Sequence, residues 1–313
     1  MNTLIETGRG KPVNGFRMTK GRRELLAQGF SIEQILENQM NAKAIPTSIV
    51  APAPIAEDEN LTDEEILANQ NSFFSMLEST ALGVAAGEAK AMVVSGGAGI
   101  GKSVGIERAV GDNENTCHIS GHVTPVGLYQ ALYEYRWAGC TIVFDDTDHV
   151  LHDEKSLGLL KHALDMKPKR RIDWRSHNDV KDENGDNIPK SFIFEASVIF
   201  ITNKNLTAEI ARKTKLSPHL EALVSRSLYM DGYALFKTPR DYLIRVDYLK
   251  EAIFKAEGMN EEGRRLISTF ITENFAEMRE LSLRMVAKLC SVYRIHGADE
   301  FEDAAKFTVT KNK

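Results

Sequence analysis

The octapeptide Gly96-Gly97-Ala98-Gly99-Ile100-Gly101-Lys102-Ser103 limits what this chain can fold into more than any other feature, because it fits GxxxxGK[ST] in full. It follows the apolar run Ala91-Met-Val-Val94 and leads through Val104 into a helical stretch, so strand, loop and helix come in the required order. Glycines let the backbone curl until its N–H groups face a polyphosphate, at a helix N-terminus whose dipole favours anions. Lys102 adds a point charge for the β- and γ-phosphates, and the Ser103 hydroxyl can ligate Mg²⁺. Residues 96–104 are therefore the expected contacts of a nucleoside triphosphate.

About 40 residues later, Ile142-Val-Phe-Asp145-Asp146 reads as a buried strand ending in two acids. Carboxylates at the carboxyl edge of a parallel sheet suit a nucleotide site. Asp145 is placed to hold Mg²⁺ through water and Asp146 to orient or deprotonate an attacking water. Asp148 is a further acid close by. Expected strands are Met92–Ser95, Thr116–Ser120, Thr141–Asp145, Ser197–Thr202 and Ser227–Met230. Their alternation with helical patterns predicts an α/β fold with a largely parallel five-stranded sheet between helices. A capping box at Thr62 and Glu65 opens a helix expected to run to about Thr80. Between 170 and 196, RRIDWR, a polar Asn/Asp/Gly tip and SFIFEA predict a projecting β-hairpin. Beyond Thr238-Pro239, three or so helices form an all-helical subdomain, 238–313, after a core at 61–237.

The first 60 residues differ from the rest. Residues 1–30 carry six basic side chains against two acidic ones, a local net of +4, although the whole chain has a formal charge of -5. Two short helices are expected at Thr19–Gln28 and Ser31–Met40. The uncharged stretch 44–56, with three prolines, reads as an extended linker. No apolar run approaches the roughly 20 residues of a membrane-spanning helix, and no secretory leader is evident. Three cysteines, Cys117, Cys140 and Cys290, form no CxxC, so the expected setting is a reduced cytoplasm.

With these motifs in hand, the chain resembles an AAA+ ATPase over roughly residues 61–300. Ile199-Phe-Ile-Thr202-Asn203 resembles the sensor 1 strand, whose terminal Asn positions the lytic water. Leu223-Val-Ser-Arg226 resembles the segment with the arginine finger, which reaches into a neighbouring subunit's site. Glu280-Leu-Ser-Leu-Arg284 resembles the sensor 2 helix of the lid, whose Arg touches the γ-phosphate. The resemblance implies a nucleotide held by core and lid, ATP and Mg²⁺ as cofactors, and a ring or spiral, expected to be a hexamer. In one departure, the second acid after the strand is Asp146 where the family has Glu, one methylene longer. That change implies slower hydrolysis or a differently placed water. The overall pattern also resembles ATPases of bacteriophages and mobile elements, which would place the protein in a bacterial host's cytoplasm.

Lys167, Lys169, Arg170 and Arg171, with Trp174, form a basic–aromatic cluster suited to a phosphate backbone with base stacking; the alternative is a solvated turn or subunit contact. His122, His149 and His152 have weak metal spacing and no cysteine beside them, so a zinc site is set aside. The expected cargo is nucleic acid, foremost DNA in replication, recombination or transposition. The alternatives are remodelling of a protein partner through the N-terminal arm, and an ATP-gated scaffold with little turnover.

Overall fold

The computed structural model describes residues 61–111, 114–182 and 185–311. The arm expected at 1–60, with its two helices, lies outside the described residues. The remainder forms two compact units. One comprises 76–95 with 103–230, the other 61–75 with 96–102 and 231–311.

The first unit is built on a five-stranded sheet. In chain order its strands are β1 (Ala91–Ser95), β2 (Thr116–Ser120), β3 (Thr141–Asp145), the strand Ser197–Thr202 and the strand Leu228–Asp231. Four shorter strands precede the last two: β4 (Arg170–Asp173), β5 (Val180–Lys181), β6 (Asn187–Ile188) and β7 (Ser191–Phe194). Ser197–Thr202 is thus β8 and Leu228–Asp231 is β9, and the spatial order is β2-β3-β8-β1-β9. The β2/β3, β3/β8 and β8/β1 pairs run parallel, as expected from the alternation of runs. Every residue of β1 and β8 is buried, which accounts for the apolar runs 91–94 and 198–201 within them, whereas β2 at the edge is only partly covered. Register aligns Val94 with Ile201 and Phe144 with Phe200, so β1, β8 and β3 end side by side.

Helices α2 (Lys102–Val110), α3 (Pro125–Glu134), α4 (Glu154–Ala163), α5 (Leu206–Ala211) and α6 (Ser217–Ser225) connect these strands. Thr124 caps α3 by accepting the Gly127 N–H at 3.1 Å, with Pro125 at the first helical position. The helix opened by Thr62 and Glu65, α1 (Asp63–Ala86), runs six residues past Thr80. The apolar run ALGVAA continues it until Gly87, whose φ of +86° and the Glu88 N–H to Gly83 carbonyl bond (3.0 Å) close the helix.

The expected hairpin is present but does not project freely. Arg170 pairs with Phe194 and Ile172 with Phe192 across antiparallel β4 and β7, and β5 pairs with β6 beyond them. Ile172, Val180, Ile188, Phe192 and Phe194 all join the core of this unit. Arg170 belongs to the same face and is only 3% exposed. Its guanidinium donates to the carbonyls of Ala163 (2.5 Å), Phe194 (3.3 Å) and Ala196, and lies over the Phe194 ring. Burial lowers its pKa to about 10, with Asp165 and Glu195 opposing the fall, so the group stays charged at neutral pH. The expectation that Arg170 contacts nucleic acid is therefore corrected. Strand alternation turns it inward, where it satisfies backbone carbonyls.

In the second unit, α7 (Pro239–Ala256), α8 (Glu261–Asn274) and α9 (Leu283–Val309) enclose a core that includes Phe254, Ile267, Phe270, Leu289 and Phe301. Thr238 and Asp241 form a capping box at α7. Gly297, at φ 71° and ψ -178°, interrupts α9. Among the described residues, no helix is long and apolar enough to cross a membrane.

Candidate functional site

The loop that leaves β1 owes its shape to glycine at positions no other residue fits. Gly99 and Gly101 have φ of +71° and +107°. A Cβ on Gly99 would come within 2.7 Å of Ser282 Cβ, and one on Gly97 within 2.7 Å of the Tyr242 hydroxyl. Lys102 is 4% exposed, and its ammonium donates to the carbonyls of Gly96 and Gly97, both at 2.8 Å. A cation turned into the hollow of a glycine loop fits the site to a polyphosphate, whose oxygens can take the place of those carbonyls. Ser103 is half-buried one residue on, while Val104 is 57% exposed.

The start of α9 rests on this loop. Ser282 caps the helix by accepting the Met285 N–H (3.1 Å), and the Leu283 N–H donates to the Gly99 carbonyl (2.9 Å). Arg284 follows directly. Its Cβ lies 3.6 Å from where a Gly99 Cβ would stand, and its side chain is exposed. Glu280 accepts from the Ser282 hydroxyl (2.8 Å) and pairs with Lys288 (3.2 Å). Burial alone would raise the Glu280 pKa, but these donors outweigh it and the net direction is downward.

In the first unit, the ends of β3 and β8 are laced together. Asp145 accepts the N–H of Asp146 at 3.0 Å, and the Asn203 side-chain amide donates to Asp146 Oδ1 at 3.1 Å. Asp146 holds φ at +51°, a left-handed conformation uncommon outside glycine. Asp148 accepts the Thr202 hydroxyl (2.5 Å) on one oxygen and the Asn203 N–H (3.2 Å) on the other. It thereby fixes the direction in which Asn203 leaves the strand. Sequence reasoning left Asp148 unassigned and missed Thr202, Ser282 and Tyr242. Only Thr202 carried a signal, as the hydroxyl immediately before Asn203.

The other expected residues lie apart from this group. Arg226 terminates α6, pairs with Asp165 at 3.9 Å and lines a hollow with Lys161, His162 and Lys167. Of the basic cluster, Lys167 faces Asp165 (3.9 Å), Lys169 faces Glu195 (3.7 Å) and Arg171 faces Asp173 (3.2 Å). Trp174 is half-buried and stacked on Tyr129, with ring centroids 5.6 Å apart. His149 accepts the Val123 N–H at 2.8 Å and stacks on His122 at 4.3 Å.

No protein-family model matches the chain. The chain is 30% identical over 228 residues to the uncharacterized 36.7 kDa protein in the nrdC-mobD intergenic region of Enterobacteria phage T4, covering 71% of this chain and 69% of that one. Among solved structures it is similar to NtrX from Brucella abortus in complexes with ATP and with ADP, in each case at 14% identity and a TM-score of 0.43. The match takes in 92% of this chain, which spans 60% of NtrX.

Proposed function

The chain belongs to the family of the 36.7 kDa phage T4 protein, and we propose that it is a phage-type AAA+ ATPase that hydrolyses ATP as an oligomeric ring and acts on nucleic acid. The observation that carries this reading is the glycine loop with Lys102 folded into it, following a strand whose neighbour β8 leads directly into Asn203, which is bonded to Asp146. On binding ATP, Lys102 exchanges two carbonyl partners for phosphate oxygens. Ser103 and Asp145 supply hard oxygen donors for Mg²⁺, which would neutralise charge on the β- and γ-oxygens. Asp146 takes up the proton of the attacking water while Asn203 holds that carboxylate in place. Arg284 is the residue that the resemblance to AAA+ ATPases assigns to the γ-phosphate. Arg226, supplied by a neighbouring subunit, offsets the charge that develops as the γ-phosphoryl leaves.

Lys102→Ala is expected to lower ATP turnover at least about 10²-fold and to weaken ATP binding, since it removes the one side-chain cation in the loop. Steady-state phosphate release beside equilibrium ATP binding checks this. Turnover equal to the unmodified protein would remove the basis of the reading. Asp148→Ala acts differently. With two bonds to the end of β8 gone, Asn203 drifts, and turnover falls about 10- to 100-fold while ATP affinity holds. Equal losses in both would show that Asp148 supports the fold rather than the geometry.

A second reading is favoured by Asp146. Its carboxylate is one methylene shorter than the Glu usual in AAA+ ATPases, which fits an ATP-gated scaffold that assembles on binding and turns over slowly. ATP-dependent assembly with negligible phosphate release selects it.

A further inference from the structure

A nucleic-acid cargo needs a binding face, and in the cluster expected to supply one the exposed cations are matched by carboxylates. Arg170 is interior, and Lys167, Lys169 and Arg171 each have a carboxylate within 4 Å. A different surface of the same unit has the required chemistry. A groove of about 550 Å³ has Lys155, Gly158 and His162 of α4 on one side and Trp174, Arg175 and His177, just past β4, on the other, with Asp173 its one carboxylate. Among the described residues Lys155 forms no ion pair, and Arg175 lies near Asp173 without pairing with it, Asp173 being taken by Arg171. Through His162 the groove adjoins the hollow that holds Lys161, Lys167 and Arg226, where two of the cations share Asp165 at 3.9 Å. Cations thus outnumber carboxylates along the whole track, on a chain that is acidic in total.

Trp174 gives the groove a second property. Tyr129 backs its ring in a stack with 30° between planes, and the Tyr129 hydroxyl is itself pinned to the Pro189 carbonyl at 2.6 Å. The indole is therefore a fixed platform, backed by Tyr129, whose remaining surface lines the groove. A base reaches such a platform only when it has left its own stack, which single strands permit and a duplex does not. Cations beside a rigid aromatic ring match alternating phosphates and bases.

We propose that this groove binds single-stranded nucleic acid, with a base stacked on Trp174 and flanking phosphates on Lys155 and Arg175. The inference rests on the reading of nucleic acid as the cargo. The test is fluorescence anisotropy of a labelled oligo-dT of about 20 nucleotides against the full-length protein over a salt series. Lys155→Ala with Arg175→Ala should weaken binding about 10-fold or more and flatten the slope of log K against log salt by about 1.4, at ~0.7 per phosphate on a single strand. Trp174→Leu should weaken it about 5- to 100-fold with the slope kept, and Trp174→Phe should restore most of the loss. Thermal melts show that each variant is folded. Lys169→Ala with Arg171→Ala should bind as the unmodified protein does. If oligo-dT binds but the groove variants leave it unchanged, or if duplex binds as well as single strand and Trp174→Leu is silent, the groove is overturned and the cargo reading stands. If no oligonucleotide binds at any salt, cargo and groove fall together, and the ATPase reading is judged on Lys102→Ala alone.

Discussion

Arg226→Ala is expected to lower ATP turnover by about 10³-fold and to leave ATP affinity within a few-fold, the pattern of a cation that acts only on charge formed in the transition state. The side chain is suited to that task. It stands at the end of α6, half in solvent, and its partner Asp165 is 3.9 Å away. A pair that long and exposed is worth little, so the guanidinium leaves it at small cost. If the finger works in a neighbour's site, two dead proteins repair each other. Arg226→Ala mixed with Lys102→Ala recovers part of the turnover, because some interfaces then join an intact loop to an intact finger. Specific activity of the unmodified protein is then also expected to rise with its concentration. Turnover that is independent of concentration, with Arg226→Ala unimpaired, would leave a monomeric ATPase.

Arg170→Ala destabilises the protein by about 3–5 kcal/mol, the range for removing one member of a buried charged network. Three carbonyls, those of Ala163, Phe194 and Ala196, lose their donor together, and each unsatisfied buried acceptor costs about 1–3 kcal/mol. In a unit of this size the loss appears as a fall in Tm of roughly 10 °C. Arg170→Met refills the space without the donors and recovers only part. At a temperature where the variant is folded, oligonucleotide binding is unchanged. An unchanged Tm with lost binding would return Arg170 to the surface role that its neighbours in the sequence suggest.

That misreading had a remedy in the sequence itself. In Arg170-Arg-Ile-Asp173 the side chains alternate between faces, and Ile172 marks the buried one, so Arg170 two residues earlier must share it. Reading the four basic residues as one cluster ignored the period of the strand on which two of them sit. Where periodicity and motif agreed, the reading served well. The core strands lie within one residue of where their apolar runs place them, because fully buried parallel strands leave little choice of sequence. The loop was legible because its chemistry is contiguous. Tyr242 over Gly97 and Ser282 against Gly99 were not. Both contacts join residues more than 140 positions apart, and neither residue type announces the role. The N–H of Leu283 on the Gly99 carbonyl is a backbone contact, which no side-chain pattern encodes.

The left-handed turn at Asp146 bears on which acid that position can hold. An L-residue there gives up about 1–2 kcal/mol, least for Asp and Asn, whose short polar side chains bond locally, and more for the longer Glu. The backbone there, whose N–H is held by the Asp145 carboxylate, thus favours the shorter carboxylate. Glu at 146 would gain reach and lose conformational fit in the same exchange.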